Sequence, residues 1–359
     1  MKKERDYLFD NIKGLLIFLV VLGHLLGYFL FKVTHSIDIM YIGIYLFHMP
    51  VFVFVSGYFS KRNNKNRIIE LALVYIIWQT IVFPLIVSIF TGTSFEKNQQ
   101  SVFSPEWTYW YLLSLIIWKV ITPYFEKIRY SFVISLVMGV LIGYSSLKSG
   151  LTVLSLGRTI AFYPFFILGY HSKKEHIYYF KNKINKYAGL IAFISIILLG
   201  LIIINHLDNY LIKESYIKKI LYLKEPYKKY IANENMGALI RIVMYGIQFL
   251  SIPLLFSFIS TEKNILSKFG QNTLFIYLTH GIVIQILKKT LFKKIAITSG
   301  MFILISCIIV AFAYCLLLSL KPIQNLGRKI TSINMDMILK PEEENVEENK
   351  IKDAIKSVA

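Results

Sequence analysis

The chain has 359 residues, 55% of them hydrophobic and 15% aromatic, with a formal charge of +19 and a mean hydropathy of +0.56. That apolar content exceeds what a water-soluble domain carries, which excludes a soluble globular enzyme; the basic excess lies in short loops between apolar runs, where it orients a membrane protein and does not grip nucleic acid. The alternating ten-residue segments of an outer-membrane barrel are absent, so the expected fold is all-α, a polytopic membrane helix bundle.

Ten apolar runs approach the roughly 20 residues that a bilayer requires. They are 9–31, 39–59, 68–90, 107–125, 130–147, 153–171, 187–205, 239–259, 272–289 and 300–320. The first holds Lys13 and His24, eleven positions apart. Eleven positions are close to three helical turns, so both side chains leave one face, about 16 Å apart along the axis. Ionisable groups cost roughly 2.5–3.5 kcal/mol at a helix centre, so the pairing points to a site inside the bundle. His24 is the candidate general base, because an imidazole accepts a proton from a hydroxyl near neutral pH. Asp10 and Asn11 share the span, and Lys13 either pairs with Asp10 at i, i+3 as a snorkelling anchor or holds an anion. No small-residue cleavage site follows this run, so it is expected to stay in the membrane.

The second run contains His48, Pro50 and the pair Ser56-Gly57. His24 and His48 each lie about twelve positions from the turn at 32–38, so adjacent antiparallel helices bring two imidazoles to similar depth. Pro50 frees a backbone carbonyl, and Ser56-Gly57 permits close backbone approach, for packing or for lining a ligand. No further ligands at suitable spacing accompany the histidines, so no metal is expected. Glu106 and Trp110 stand at the mouth of the fourth run. Arg158, just inside the sixth, needs an anionic partner or an aqueous cavity, and Glu106 is a candidate partner. His280 is a third mid-span imidazole, compatible with packing or function.

Cations set the orientation. Lys2, Lys3 and Arg5 precede the first run, Lys61, Arg62, Lys65 and Arg67 follow the second, and five lysines between Lys173 and Lys186 follow the sixth. These ends are expected in the cytoplasm, and with ten spans so are both termini. The segment 206–238 fits less well: it is expected outside yet rich in lysine and tyrosine, as an interfacial helix or as an acceptor-sugar surface. Cys307 and Cys315, eight positions apart in the last run, read as packing residues. Residues 1–321 form one membrane domain, and 322–359 is a polar tail expected to be disordered or to lie at the surface.

The Lys13-to-His24 spacing, the His48-Met49-Pro50 and Phe52–Phe59 blocks, WYLLSLIIWKVITPYF, GRTIAFYPFFILGYHSKK and NTLFIYLTH resemble, in order, the blocks of the acyltransferase-3 membrane proteins. Within that family they are most similar to the fucose 4-O-acetylase-like sugar O-acetyltransferases. The likeness covers about residues 6–320, with one departure: Lys13 stands where many relatives carry Arg, a point charge in place of a bidentate fork. The resemblance implies acetyl-CoA as cytoplasmic donor and a hydroxyl of a surface glycan or lipid-linked oligosaccharide as acceptor, in a bacterial plasma membrane. On this reading Lys13, Arg62, Arg158 and Ser56 are candidates for holding the donor. Glu106, Trp110, Arg158 and His280 are candidates for the acceptor, and His24, Lys13, His48 and Asp10 for the chemistry. A homo-oligomer is compatible with the sequence. The competing expectation is a transporter, flippase or export subunit for a lipid-linked polysaccharide, since intramembrane His, Lys and Arg also line transport paths.

Overall fold

A computed structural model describes residues 7–61, 65–145, 153–207, 217–292, 299–334 and 338. Among these residues there is no β-strand, and all ten apolar runs are helical. In chain order the helices are α1 (Tyr7–Phe29), α2 (His35–Tyr58), α3 (Lys65–Ile77), α4 (Phe83–Thr91), α5 (Phe95–Asn98), α6 (Trp110–Phe125), α7 (Ser131–Leu141) and α8 (Leu156–His171). They continue as α9 (Lys174–Lys183), α10 (Lys186–His206), α11 (Ile217–Tyr222), α12 (Glu234–Phe258), α13 (Ile265–Gly270), α14 (Thr273–Thr290), α15 (Gly300–Leu318) and α16 (Lys321–Thr331). Seven helical stretches among the described residues are long and apolar enough to cross a membrane. The runs at Trp110–Phe125 and Ser131–Tyr144 are apolar but shorter. The chain is a multi-pass membrane protein built as an all-helical bundle.

α1 and α2 are the centre. Both are largely buried, and α2 lies against α8 so closely that a Cβ on Gly57 would stand 2.0 Å from the Phe166 carbonyl oxygen. Reciprocally, a Cβ on Gly169 would stand 1.9 Å from the Phe54 oxygen. Without a hydrophobic drive between helices in lipid, such small-residue contacts carry the association. Asn11, flagged as a neighbour of the candidate site, instead ties α1 to the loop after α12, its amide donating to the Ser260 and Glu262 carbonyls at 2.8 Å each.

The run expected as one continuous helix over 68–90 is broken by a π-helical turn at Trp78–Val82 between α3 and α4. The turn holds the buried Gln79, whose amide nitrogen reaches the Ser101 and Ser104 carbonyls at 3.3 and 3.4 Å while its oxygen accepts from the Glu106 backbone N–H at 3.0 Å. Tyr75 adds a hydrogen bond to the Val102 carbonyl at 2.6 Å. These bonds hold the 99–109 segment, which bears Glu106 and Trp107, over the mouth of the bundle.

At the start of the polar tail, residues 321–331 form α16. Apolar Ile323 and buried Gly327 face the bundle while Lys321, Arg328 and Lys329 face out, an amphipathic pattern that suits a helix at a membrane surface. Its exit meets the start of α3, where the Ile333 backbone N–H donates to Glu70 at 3.4 Å. The PEEENVEENK stretch lies outside the described residues.

Candidate active site

A cavity of about 300 Å³ opens among the C-terminal half of α1, the N-terminal half of α2, the start of α6 and α8, and the segment around α11. Its wall includes His24, His48, Glu106, Trp110 and Arg158, five of the residues singled out from sequence. His24 is half-buried and faces the space, whereas His48 is 2% exposed. The Nδ1 of His48 donates to the Ile44 carbonyl at 2.7 Å, one turn back on α2, which fixes its tautomer and leaves Nε2 as an acceptor.

The two histidines are bridged by Tyr45. Its hydroxyl lies 3.3 Å from His24 Nδ1, and its ring packs edge-on against His48 with centroids 4.7 Å apart. The imidazole nearest to His24 is neither of these: His280 stacks on it at 5.2 Å and 27°. His280 therefore backs His24 and does not line the cavity, a correction to its expected place on the acceptor wall. Its Nδ1 donates to the Tyr277 carbonyl at 2.5 Å, and its buried Nε2 has no partner. Trp107 closes the other side of His24, edge to face at 4.5 Å.

Arg158, two residues into α8, stacks its guanidinium 4.4 Å over the Trp110 ring and donates Nη2 to Ser155 Oγ at 3.3 Å. It does not form the expected ion pair with Glu106, although both share the wall. Glu106 lies instead within reach of Lys288 and Lys289 at the end of α14, and burial pushes its carboxyl pKa up. Tyr222 and Lys224, from the segment given two readings above, line the cavity opposite Arg158's helix. Burial and the nearby Arg158 lower the pKa of the Lys224 ammonium.

A second cavity of about 570 Å³ lies one to three turns further along the same helices. Its wall includes Phe52 and Phe59 of α2, Tyr111 and Lys119 of α6, Tyr277 of α14, and Arg67 at the start of α3. The rings of Phe52, Tyr111 and Tyr277, with successive centroids 5.3 and 5.5 Å apart, form an aromatic layer on the wall of this second cavity, at the level of α2 and α6 next to the first. Ser56 is bound into this layer by a hydrogen bond to the Tyr111 hydroxyl and another to the Phe52 carbonyl at 2.9 Å.

Lys13 and Asp10 are at this second level. They form an ion pair at 3.0 Å, and Lys13 Nζ lies 5.2 Å from the Phe59 ring centroid. The helical rise that sets both Lys13 and His24 on one face also keeps them three turns apart, so neither Lys13 nor Asp10 shares the His24 cavity. Of the three described residues expected to hold the donor, Arg158 lines the His24 cavity, whereas Lys13 and Ser56 lie at the second level. Arg62 lies outside the described residues, and Arg67 and Lys119 are the cations on the second cavity's wall. Among the described residues no group of three His, Cys, Asp or Glu is placed to hold a metal ion.

Residues 6–320 match the family model described as an acyltransferase domain. The chain is similar to the nodulation protein NolL of Mesorhizobium japonicum, 29% identical over 188 residues, covering 46% of this chain and 48% of that protein. It is also similar to the nodulation protein NolL of Sinorhizobium fredii, 31% identical over 135 residues, covering 34% and 37%. The matches thus span about half or less of these curated relatives' own lengths. No solved structure matches. With the family model covering nearly the whole helical bundle, the chain belongs to the acyltransferase domain family.

Proposed function

We propose that the protein is an O-acetyltransferase of a bacterial plasma membrane, moving acetyl groups from cytoplasmic acetyl-CoA to a hydroxyl of a surface glycan or its lipid-linked precursor. The observation that carries this reading is the pair of cavities stacked along α2 and α6 with His24 and His280 beside the aromatic layer. A nucleotide thioester and a sugar cannot share one compartment without crossing the membrane, whereas two stacked spaces let each enter from its own side. Family membership supports acyl transfer, and the loop charges support the second cavity as the cytoplasmic one.

Arg67 and Lys119 suit the phosphates of CoA in the second cavity, and the pantetheine arm reaches past Phe52 and Tyr111 toward His24. His24, with Nδ1–H directed to the Tyr45 oxygen, presents Nε2 as base. The sugar hydroxyl gives its proton to that nitrogen as its oxygen attacks the thioester carbonyl carbon. The C–S bond then breaks, and the departing CoA thiolate recovers the proton, leaving an acetyl ester and CoA-SH. Arg158 lends positive potential to the wall where negative charge develops on the thioester oxygen.

The test uses inside-out membrane vesicles given acetyl-labelled acetyl-CoA, with label sought as an alkali-labile ester on glycan in the lumen. Ester formation dependent on the protein supports transfer; glycan transported without loss of acetyl-CoA would establish the export reading instead. Two variants probe the donor side. Lys119→Glu is expected to raise the KM for acetyl-CoA about tenfold, the worth of one partly desolvated charge contact, with a smaller change in acceptor KM. Lys13→Arg is expected to keep most activity and Lys13→Ala little, because the charge beside Phe59 is retained in the first and lost in the second; equal activity would reduce Lys13 to an anchor.

A further inference from the structure

Two cations on the His24 cavity, Arg158 and Lys224, form no ion pair among the described residues. Arg158 is 9% exposed, yet its Nε has no partner and its single hydrogen bond runs to a serine hydroxyl. Lys224 lines the same cavity, and the adjacent Glu225 pairs instead with Lys219 at 3.4 Å and Lys229 at 4.0 Å. Glu106, the one carboxylate among the lining residues, forms no ion pair with Arg158 or Lys224, and burial pushes its carboxyl pKa up. A buried guanidinium and a half-buried ammonium thus face one space, and neither is paired with a carboxylate. Burying uncompensated charge is unfavourable, and the arrangement is relieved when an anion enters.

Resting on the acetyl-transfer reading above, we propose that the acceptor glycan is anionic: a carboxylate or phosphodiester on it docks between Arg158 and Lys224 and sets a neighbouring hydroxyl against His24. The guanidinium fork matches either acid bidentately, and Lys224 adds a point charge from the opposite wall. Trp110 beneath Arg158, and Trp107 with Lys288 4.2 Å over its ring, are rigid faces against which a sugar ring is held flat. The lysines of the segment around α11, which no orientation rule explains, then have a reason to face outward: they raise the local concentration of a polyanion at the cavity mouth.

The experiment uses envelope glycan from cells deleted for the gene, fragmented and separated by anion exchange into neutral and charged pools, with full-length protein in vesicles and acetyl-labelled acetyl-CoA. Label is expected in the charged pool. Carbodiimide reduction of carboxylates, or cleavage of phosphodiesters with hydrofluoric acid, should abolish acceptance in one arm only and so name the acid. Lys224→Gln is expected to raise the acceptor KM about tenfold, with Lys224→Arg restoring it. Label in the neutral pool, or an acceptor KM unmoved in Lys224→Gln, overturns the proposal. Vesicles that consume no acetyl-CoA with either pool overturn the acetyl-transfer reading itself, and this inference with it.

Discussion

Replacing His24 with alanine is expected to lower acetyl transfer by about two to four orders of magnitude, the usual worth of a positioned general base. The residue is the one ionisable group that both faces the first cavity and is held on three sides, by the Tyr45 hydroxyl, the Trp107 edge and the His280 ring. Such confinement fixes where its free nitrogen points. Removal leaves His280 behind the gap with Nδ1 still committed to the Tyr277 carbonyl, three residues back on α14, so its ring is not free to swing forward as a substitute. His48→Ala is expected to fall less, since that ring is committed to the Ile44 carbonyl and is reached from His24 only through Tyr45. The measurement is initial rate of label transfer in vesicles with matched amounts of folded protein. Near-normal turnover in His24→Ala would remove it from the chemistry.

The second large effect falls on the fold. Gly57→Ala is expected to unseat α2 from α8, because the added carbon meets the Phe166 carbonyl oxygen at 2.0 Å and a backbone oxygen cannot rotate aside. Overpacking of this kind costs about 1–3 kcal/mol where side chains yield, and more is expected where two main chains must part. Gly246→Ala in α12 is the matched control, since its added carbon meets nothing within 4 Å. Size-exclusion profiles and thermal midpoints in detergent should separate the two, with monodisperse protein lost in Gly57→Ala and kept in Gly246→Ala. Equal midpoints would mean that the helices have room to slide.

Helices were easy to read because hydrophobic length is a local property of the chain: each of the ten apolar runs is helical. His24, His48, Glu106, Trp110 and Arg158 were legible for a related reason, since a polar group in an apolar run advertises its own cost. Pairings between distant segments carry no such mark. His24 and His280 are brought together by the packing of α1 against α14, and nothing in either segment names the other. Glu106 and Arg158 looked like partners by charge alone, yet the loop held by Gln79 turns Glu106 toward α14. The signal for that loop was present in outline: a glutamine within the otherwise apolar 68–90 run asks for hydrogen bonds, and a π-helical turn is where it finds them. The segment around α11 stays open to two readings from composition, because tyrosine and lysine suit a lipid headgroup zone as well as a sugar site.

The aromatic layer of Phe52, Tyr111 and Tyr277 also has an electrical consequence. On the proposed function the two cavities are aqueous and open to opposite sides, and the membrane voltage then falls mostly across that aromatic layer and not across the full hydrocarbon thickness. Each elementary charge driven through it would exchange about 2.3 kcal/mol with the field per 100 mV. Under the proposed transfer an uncharged thioester passes without that work, while the phosphates of CoA stay where the potential is flat, so the reaction rate is expected to be insensitive to whether the cell is energised.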